Sequence, residues 1–426
     1  MSELSRRHFL QAAAAAGIAG LASPRARGAN ERIRVGIIGC RNRGHQVAQS
    51  MLSDGNYEVV ALCDPDEAMA ARAREALEGD LPASVPYVKD FRKLLEDPNI
   101  DAVVNATPDH WHAMATLMAL DAGKHVYLEK PATYDIREAR ELEAASARHA
   151  NLVCAMGTQQ RSGAHFKDAR DFIREGGLGH VGFVRCWIAH TRGPIPHVPN
   201  EEPPAGFDYD LWVGPGPFHP YNPQLCHYNW HWVRDWGTGE MGNWGAHWID
   251  IAQWYLDLGL PTAIMGTGGT YVTQDAKQWP DTQTVLYEYP ERTMVWEQRL
   301  WTDYDVNRER SGCEFGGPKG TLTISRGGWT FHPRDGRRNF ESGSDLMGPH
   351  VRNFAESVRG QAVPAADMAA GALTATLCHF GNIAVEAPGR LEYDADTGTF
   401  PGDERATALV GRAYREPWEA ERRALV

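Results

Sequence analysis

Three polar clusters in the sequence hold side chains that can bind a substrate or move a proton. They are TPDHWH at 107–112, EKP at 129–131 and GTQQR at 157–161, and each follows a short apolar run. The ammonium group of Lys130 can stabilise a developing alkoxide, and burial would lower its pKa towards the range of proton transfer. Each cluster alone is compatible with a solvated loop, but three in succession favour one shared site.

A glycine-bearing turn is the second candidate. The apolar run 33–38 ends in the turn 39–44, and residues 45–52 have the spacing of an opening helix. Free backbone N–H groups and the helix dipole make such a turn an anion site, whose usual occupant is a dinucleotide pyrophosphate. The fingerprint G-x-G-x-x-G is incomplete, because Arg41 stands at its middle glycine.

Asp64 strengthens the nucleotide interpretation. It ends the apolar run that begins at Tyr57, and it lies about 20 residues after the last glycine, where a ribose-binding carboxylate belongs. A carboxylate accepts hydrogen bonds from a free 2′-hydroxyl and repels a 2′-phosphate, so NAD is favoured over NADP. NADP is an alternative, since Arg41 or Arg43 could meet that phosphate, and a strand-end aspartate with no ligand is another.

A tryptophan-rich stretch supplies the candidate substrate site. Half of the fourteen tryptophans lie between Trp212 and Trp254. Aromatic faces stack on the apolar faces of pyranose rings, so we expect a sugar site with Trp230 and Trp236 among its walls. A Trp-rich core is the alternative, and some of these side chains must serve it.

Asn243 and His247 lie within that stretch, four residues apart and therefore on one helical face. Histidine exchanges a proton near neutral pH, whereas an asparagine amide binds a hydroxyl but cannot ionise. Proton transfer then falls to His247 and Lys130, or to another carboxylate such as Glu240 or Asp235. Alternatively, Asn243 is only a helix N-cap.

Composition and cysteine usage argue against several classes of function. The chain has 426 residues, a formal net charge of −12 and no basic patch, which disfavours a nucleic-acid surface. Its seven cysteines include no CxxC pair, and Cys40, Cys63 and Cys154 fit small core positions, so neither a disulfide framework nor a zinc site is expected. His227 and His231 have the spacing of a metal pair, but no third ligand is evident nearby, so no metal is predicted.

The elements that position these residues alternate regularly from Ile33 to Met156. Further strands are predicted at 101–106, 125–128 and 152–156, and helices at 67–77, 91–95, 113–122 and 136–147. This alternation predicts a doubly wound parallel sheet, a Rossmann domain, whose ligands gather at the carboxyl ends of the strands. The three polar clusters then converge on one crevice.

The pattern changes beyond Met156. A helix at 166–175 and a strand at 181–189 precede nine prolines between Arg192 and Gln224, too many for regular structure, so this segment should wrap a surface and shape the site. A large open, mostly antiparallel sheet and a helix at 365–384 are predicted next, with strands at 263–266, 270–273, 283–289, 293–300, 320–324 and 329–332. We therefore expect a leader at 1–30, an α/β nucleotide-binding domain at 31–156 and an α+β substrate-binding and oligomerisation domain at 157–426.

The N-terminus has the features of a leader. Arg6 and Arg7 precede Phe9, Leu10 and the apolar run 12–22, which is too short to span a bilayer. The segment resembles a twin-arginine (Tat) leader, a route that carries folded proteins, often with cofactor in place, across the bacterial inner membrane. We therefore expect export to the periplasm by the Tat machinery without stable membrane anchoring, with an ordinary amphipathic helix as the alternative.

Taken together, the motifs resemble the Gfo/Idh/MocA family of glucose-fructose oxidoreductase and inositol dehydrogenase. The resemblance rests on residues 36–44, Asp64, the Thr-Pro-x-x-x-His run at 107–112 and Glu129-Lys130-Pro131, and it covers essentially all of the chain after the leader. It implies that Lys130 lies beside the nicotinamide and the reacting sugar hydroxyl. The family usually has Asp-x-x-x-His where this chain has Asn243 and His247, so the family's acid/base histidine is present but its carboxylate is replaced.

The resemblance also implies a set of contact residues. The expected cofactor contacts are Gly36, Gly39, Cys40, Arg41, Asn42, Arg43, Gly44, Asp64, Thr107, Pro108, His112, Glu129, Lys130 and Gln160. The expected substrate contacts are Lys130, Arg161, Trp230, Trp236, Asn243 and His247, and of these Lys130, His247 and Asn243 form the expected catalytic set. Family members commonly pair subunits through the C-terminal sheet, so a homo-oligomer is expected.

These features predict an NAD(P)-dependent oxidoreductase that moves a hydride between a sugar or cyclitol hydroxyl carbon and a nicotinamide cofactor. Because free NAD is scarce outside the cytoplasm, an exported enzyme should hold its cofactor tightly and regenerate it in each cycle. The alternative is a redox-neutral glycoside hydrolase that oxidises a ring carbon transiently, eliminates the glycosidic substituent and then reduces the product. A sugar-binding protein without catalysis, suggested by Arg41 and Asn243, is a third hypothesis.

Overall fold

A six-stranded parallel sheet carries the N-terminal part of the chain. The computed structural model describes residues 32–303, 309–336 and 339–426, so the predicted leader at 1–30 lies outside the described residues. The strands are β1 (Ile33–Ile38), β2 (Tyr57–Cys63), β3 (Tyr87–Val88), β4 (Ala102–Asn105), β5 (His125–Leu128) and β6 (Cys154–Met156). Their order is β3-β2-β1-β4-β5-β6 with every pair parallel, which confirms the predicted doubly wound sheet.

Helices connect these strands and bury them on both faces. They are α1 (Arg43–Asp54), α2 (Glu67–Ala76), α3 (Phe91–Leu95), α4 (Asp109–Asp121) and α5 (Ile136–Arg148). Every residue of β4 is buried, as expected for a parallel strand covered on both sides. The strand order reverses between β1 and β4, which opens a crevice at the carboxyl ends of those two strands.

One helix begins earlier than its sequence predicts. The helix expected at 113–122 is α4, which starts at Asp109 and takes in most of the polar cluster at 107–112. The histidines of its first turn, His110 and His112, are buried. The ring nitrogens of His110 face the carbonyl oxygens of Trp236 and Trp212, which provide hydrogen-bond partners for this buried ring. Distant backbone groups satisfy these side chains, so their polarity does not mark a solvated loop.

A second sheet of eight strands carries the C-terminal part. Its strands are β7 (Phe183–Ala189), β8 (Ala263–Gly269), β9 (Thr282–Tyr289), β10 (Arg292–Arg299), β11 (Ser311–Gly317), β12 (Gly320–Ser325), β13 (Gly328–Pro333) and β14 (Asn339–Ser342). Their order is β14-β13-β12-β11-β7-β10-β9-β8. Neighbours are antiparallel except β7 and β10, so the predicted mostly antiparallel sheet is confirmed and is mixed at its centre.

The strand predicted at 270–273 was wrong. These residues form a bend, because the carboxylate of Asp281 accepts hydrogen bonds from the backbone N–H groups of Tyr271, Val272 and Thr273. A side chain therefore takes the donors that a neighbouring strand would have used.

The remaining helices are α6 (Ala164–Arg174), α7 (Tyr209–Val213), α8 (Ala246–Leu256), α9 (Met347–Val358), α10 (Met368–Glu386), α11 (Glu404–Ala408) and α12 (Trp418–Leu425). Residues of α6, α8 and α10 share a buried apolar cluster with the inner face of the second sheet. Helix α10 is long and apolar enough to cross a membrane by length and composition, but 78% of its most apolar window is buried inside the protein.

Candidate active site

The turn after β1 is shaped by close backbone approaches. Gly39 has a φ of +86°, and a Cβ there would lie 2.5 Å from the carbonyl oxygen of Ala106. At Gly44 a Cβ would lie 1.8 Å from the carbonyl oxygen of Gly39. Both positions therefore require glycine. No side chain of the described chain caps the start of α1, which suits a turn whose N–H groups bind an anion.

Asp64 lies where the sequence predicts a ribose contact. Its side chain lines the cleft above the turn, and its two oxygens accept hydrogen bonds from the backbone N–H groups of Cys40 at 2.8 Å and Asp66 at 3.0 Å. Burial raises the pKa of Asp64 to about 6. Gly36 and Cys40 do not line the cleft: Gly36 lies within β1, under the side chain of Leu94, and Cys40 is fully buried.

The three residues of the turn that follow Cys40 line the cleft. They are Arg41, Asn42 and Arg43. The Arg43 Nε donates to Glu129 Oε1 at 2.6 Å. The guanidinium of Arg41 lies over the ring of Tyr228, 5.3 Å from its centroid, and burial lowers the pKa of Arg41.

A long segment, residues 190–240, covers the cleft from the other side, and we call it the covering segment. The backbone of Phe207 pairs with that of Asp66 just beyond β2. His227 Nε2 lies 2.8 Å from Asp66 Oδ2, and the indole N–H of Trp111 donates to the carbonyl of Trp212. As predicted from its prolines, this segment is largely irregular, with α7 and a short 3₁₀ turn as its helical elements.

Lys130 begins a chain of polar contacts that joins the two sides of the cleft. Lys130 Nζ donates to Asn243 Oδ1 at 3.2 Å, and Asn243 Nδ2 donates to Glu240 Oε2 at 3.2 Å. Arg192 Nε then donates to Glu240 Oε1 at 2.7 Å, and the Glu240 side chain is fully buried. The ion pair with Arg192 therefore orients the Glu240 carboxylate, and this carboxylate orients the Asn243 amide so that its oxygen faces Lys130.

Burial dominates the electrostatics at this end of the cleft. Burial, helped by the charge of Arg43, lowers the pKa of Lys130 against the opposing effect of the Glu129, Asp109 and Glu240 carboxylates. Burial also raises the pKa of Asp109, whose Oδ2 accepts hydrogen bonds from the N–H and hydroxyl of Thr238. Lys130 is therefore a more acidic donor than a surface lysine.

His247 and Asn243 do not share one regular helix. Asn243 lies in a π-helical turn (Met241–Gly245), and His247 lies in the first turn of α8. His247 Nδ1 is buried with no hydrogen-bond partner among the described residues. Burial, and then the charges of Arg326, Lys130 and Arg43, hold the pKa of His247 well below its usual range, so the ring is neutral.

Thr107, Pro108 and His112 lie beside this centre and line the cleft. The ring nitrogens of His112 face the carbonyl oxygens of Pro131 at 2.5 Å and Thr107 at 2.8 Å, so this side chain ties two of the polar clusters together. Gln160 lies behind His247, donating to its carbonyl at 3.3 Å. Its contact with the cleft is therefore indirect.

Three residues expected near the substrate lie elsewhere. Arg161 forms a buried ion pair with Asp250, because the 3₁₀ turn Gln159–Ser162 directs it towards α8. Trp236 is fully buried and packs edge-on against Trp212 at 4.9 Å. Asp235, an alternative proton carrier, is bonded instead to the exposed His219. None of the three lines the cleft, whereas Trp230 does.

Sequence reasoning missed Asp109, Arg192 and Tyr228 as residues of this site. Asp109 lies inside the TPDHWH motif at 107–112, but the sequence alone did not indicate that its side chain is buried. Arg192 and Tyr228 come from the irregular covering segment, where no periodicity places a side chain. His227 and His231, which have the spacing of a metal pair, bond separately to Asp66 and to the Tyr228 carbonyl, and no group of three metal-binding side chains occurs in the part of the chain that the structure describes.

Two family models match this chain. One, described as "Oxidoreductase family, NAD-binding Rossmann fold", matches residues 33–158. The other, described as "Oxidoreductase family, C-terminal alpha/beta domain", matches residues 185–420. The two matches cover both sheets and both sides of the cleft.

Individual proteins are similar over parts of their length. 1,5-Anhydro-D-fructose reductase of Ensifer adhaerens is 32% identical over 176 residues, 41% of this chain and 50% of that protein. Glycosyl hydrolase family 109 protein 1 of Shewanella sp. strain ANA-3 is 28% identical over 211 residues, 42% of this chain and 45% of that protein. The chain thus spans about half the length of the curated relatives it matches.

A solved structure shares the fold over most of the chain. The WlbA dehydrogenase from Bordetella pertussis, in complex with NADH and UDP-GlcNAcA, matches with a TM-score of 0.66 and 18% identity. The match covers 86% of this chain and 100% of that one.

Proposed function

This chain belongs to the Gfo/Idh/MocA oxidoreductase family, and from that premise we propose that it transfers a hydride between a hydroxyl-bearing carbon of a sugar or cyclitol and a tightly held nicotinamide cofactor. The observation that carries the proposal is the polar chain Lys130–Asn243–Glu240–Arg192, which presents a buried ammonium at the strand-end crevice. Such a group suits an alcohol or carbonyl oxygen whose charge changes during reaction.

The glycine turn and Asp64 fit a dinucleotide. A Cβ at Gly39 or Gly44 would fill the space against the backbone, and the Asp64 carboxylate faces the cleft. Asp64 favours NAD by accepting hydrogen bonds from the ribose hydroxyls. NADP is the alternative, since Arg41 lies near the same end, but its guanidinium is already over Tyr228. The bound nicotinamide supplies the hydride chemistry.

Lys130 and His247 then divide the work on the substrate oxygen. Lys130 donates a hydrogen bond to the hydroxyl oxygen and stabilises its negative charge as the proton leaves. His247 is neutral, and its buried Nδ1 has no partner among the described residues. It does not line the cleft itself but lies behind Asn243, which does, and we assign it the role of accepting that proton when substrate is bound. Asn243 cannot ionise, and its role is to hold Lys130 in place.

Two features support tight retention of the cofactor: the covering segment, which lies across the cleft, and the predicted leader. Contacts of the covering segment with Asp66 and Trp111 hold it across the cleft. The twin arginines at 6–7, which lie outside the described residues, favour Tat export to the periplasm, where free NAD is scarce. Replacing both by lysine is expected to keep the protein in the cytoplasmic fraction, and unchanged export would contradict this localisation.

A redox-neutral glycoside hydrolase is the second candidate. It is favoured by the similarity to glycosyl hydrolase family 109 proteins and by Asn243, which gives this chain a different proton-transfer set from the family's usual carboxylate. Cleavage of aryl glycosides without added NAD would favour this candidate over net oxidation.

Assembly into a homo-oligomer through the second sheet is also proposed. The sheet's outer face carries the partly exposed Phe183 and the ion pair Arg185–Glu297. An apolar and charged mixture of this kind suits a subunit interface. Light scattering is expected to give a multiple of the chain mass, and a monomer at all concentrations would contradict it.

The first experiment is to purify the protein without added nucleotide, denature it and quantify the nicotinamide dinucleotide released. Near one equivalent per chain, together with turnover of a sugar pair or a glycoside, is expected. If no nucleotide is released, NAD and NADP are titrated against tryptophan fluorescence. The absence of both binding and turnover would overturn the proposed function in favour of a sugar-binding protein without catalysis.

A further inference from the structure

The imidazole of His231 faces the same cleft as Lys130, and the proposed reaction does not use it. His231 lies in the 3₁₀ turn Asn229–Trp232 of the covering segment and lines the cleft together with Tyr228 and Trp230. Its neighbour His227 is bonded to Asp66. The two histidines, although spaced as a metal pair, therefore have separate surroundings.

The hydrogen bonding of His231 defines which nitrogen carries the proton. Nδ1 lies 2.5 Å from the carbonyl oxygen of Tyr228, and a carbonyl only accepts, so Nδ1 is the donor. Burial, followed by the charges of Lys130, Arg192 and Arg41, lowers the pKa of His231 to about 3 against the opposing effect of the Tyr228 bond. The ring is therefore neutral, and its Nε2 is a lone-pair acceptor that no group in the described part of the chain engages.

The ring is mounted rigidly. It stacks on Trp230 with centroids 3.7 Å apart and an interplanar angle of 17°. The backbone beneath it is packed so closely that a Cβ at Gly237 would lie 2.5 Å from the Trp230 carbonyl oxygen and 2.6 Å from the His231 Cα. Contacts of this kind hold the direction of Nε2 constant.

The three carboxylates that line the cleft, those of Asp64, Asp109 and Glu129, already accept hydrogen bonds from other groups of the protein. Lys130, Arg41 and Arg43 have no acceptor atoms, and both ends of the Asn243 amide are occupied. A sugar or cyclitol brings several hydroxyl groups, each with a proton to donate. An oriented neutral acceptor is therefore the group that such a cleft needs in addition to Lys130.

We propose that His231 is a substrate-binding residue whose Nε2 accepts a hydrogen bond from a hydroxyl of the substrate other than the one that reacts. This inference rests on the proposed function and adds to it the requirement for a second free hydroxyl. His231 thereby selects against analogues that lack this hydroxyl, because they would leave Nε2 without a partner.

Two variants separate this role from a structural one. His231→Phe keeps a ring to stack on Trp230 but removes the acceptor, and His231→Gln places an amide oxygen near the position of Nε2. Each is assayed on the wild type's best substrate from a panel of hexoses, inositols and p-nitrophenyl glycosides, and on its monodeoxy analogues. His219→Phe is the matched control, since His219 is exposed, lies on the same segment and does not line the cleft.

We expect His231→Phe to raise KM about tenfold or more, while the released NAD per chain is unchanged. One monodeoxy analogue should be used equally well by wild type and His231→Phe, and His231→Gln should recover part of the loss. An unchanged KM in His231→Phe, or an equal loss on the parent sugar and on every monodeoxy analogue, overturns the role of His231. Absence of NAD binding and of all turnover in the wild type instead overturns the proposed function, and this inference with it.

Discussion

The parallel sheet at 33–156 and the covering segment at 190–240 face each other across the cleft, but different interactions fix their backbones. In the sheet, adjacent strands satisfy one another's N–H and C=O groups, and apolar side chains fill both faces. In the covering segment, side chains from elsewhere hold the backbone: His110 and Trp111 contact the Trp212 carbonyl, and Arg412 donates to the Asp235 carbonyl.

The difference explains where each functional group comes from. The sheet supplies the turn, Asp64 and Lys130, whose positions follow from strand ends. The covering segment supplies Arg192, Glu240 and His231, whose positions follow from contacts made only in the folded chain. The proposed reacting centre lies where these two kinds of structure meet, so substitutions in the sheet and in the covering segment can be compared for their effects on it.

The largest effect is expected at Lys130. Lys130→Ala removes the donor to the substrate oxygen, and we expect turnover to fall by about 10²–10³-fold or more while NAD is still bound. Steady-state rates and released nucleotide are the two measurements. Lys93→Ala, which alters an exposed lysine paired with Glu96, is the control, and wild-type turnover in Lys130→Ala would remove Lys130 from the mechanism.

Opposite shifts are expected from two substitutions in the polar chain. Glu240→Gln removes a negative charge that raises the pKa of Lys130, so activity that needs the protonated lysine should be lost at lower pH than in the wild type. Asn243→Asp adds a negative charge beside Nζ, so the loss should move to higher pH. The measurement is the pH dependence of kcat.

Glu240→Gln should also reduce stability, because it leaves the buried charge of Arg192 without its partner at a cost of about 3 kcal/mol. Glu297→Gln is the control, since it neutralises a half-buried pair with Arg185 on the far sheet. Shifts of the pH profile in the same direction for Glu240→Gln and Asn243→Asp would contradict the electrostatic coupling of Lys130 to the polar chain.

Asp64 links cofactor affinity to pH. Since burial raises its pKa to about 6 in the folded protein, the carboxyl is mostly protonated at pH 5 and ionised at pH 7. Its folded pKa exceeds the unfolded value, so the unliganded protein loses stability as pH rises from about 4 to above 6, by about 3 kcal/mol in total.

The ionised form is the better acceptor for ribose hydroxyls, so NAD affinity should rise severalfold between pH 5 and pH 7. Asp64→Asn should remove this dependence of affinity and flatten the fall in stability. Fluorescence titrations and thermal unfolding over this pH range measure both. A wild type whose affinity does not change with pH would show that Asp64 does not meet the ribose.

The contrast between the parallel sheet and the covering segment also explains which features could be predicted from the sequence and which could not. The strands of the first sheet were predicted because β–α alternation and apolar runs are local signals. The start of α4 at Asp109 was missed because the polarity of His110 is satisfied by carbonyls more than 100 positions away. Arg161 follows a strand end, as predicted, but this did not place it at the substrate site, because a single 3₁₀ turn directs its side chain into an ion pair with Asp250.

The chemical centre was predictable only in part. Lys130 and Asn243 were both expected, and they are in contact. The pair Arg192–Glu240 joins positions 48 apart in the sequence, across irregular backbone, so no spacing rule could join them. The glycine turn was recognised despite Arg41, whose guanidinium lies over the ring of Tyr228 in the covering segment, a contact that no local pattern predicts.

The smallest effect tests the contact that ties the two regions together. His227→Phe keeps a ring but removes the bond to Asp66 beyond the end of β2, and the loss of one largely buried hydrogen bond is worth about 1 kcal/mol. If the covering segment retains the cofactor, NAD should be released severalfold faster while kcat changes little, because Lys130 and its partners are untouched. His219→Phe removes a similar bond, to Asp235, on the exposed side of the same segment, and it should leave the release rate unchanged. Equal release rates in His227→Phe and His219→Phe would mean that retention depends on the nucleotide-binding sheet alone.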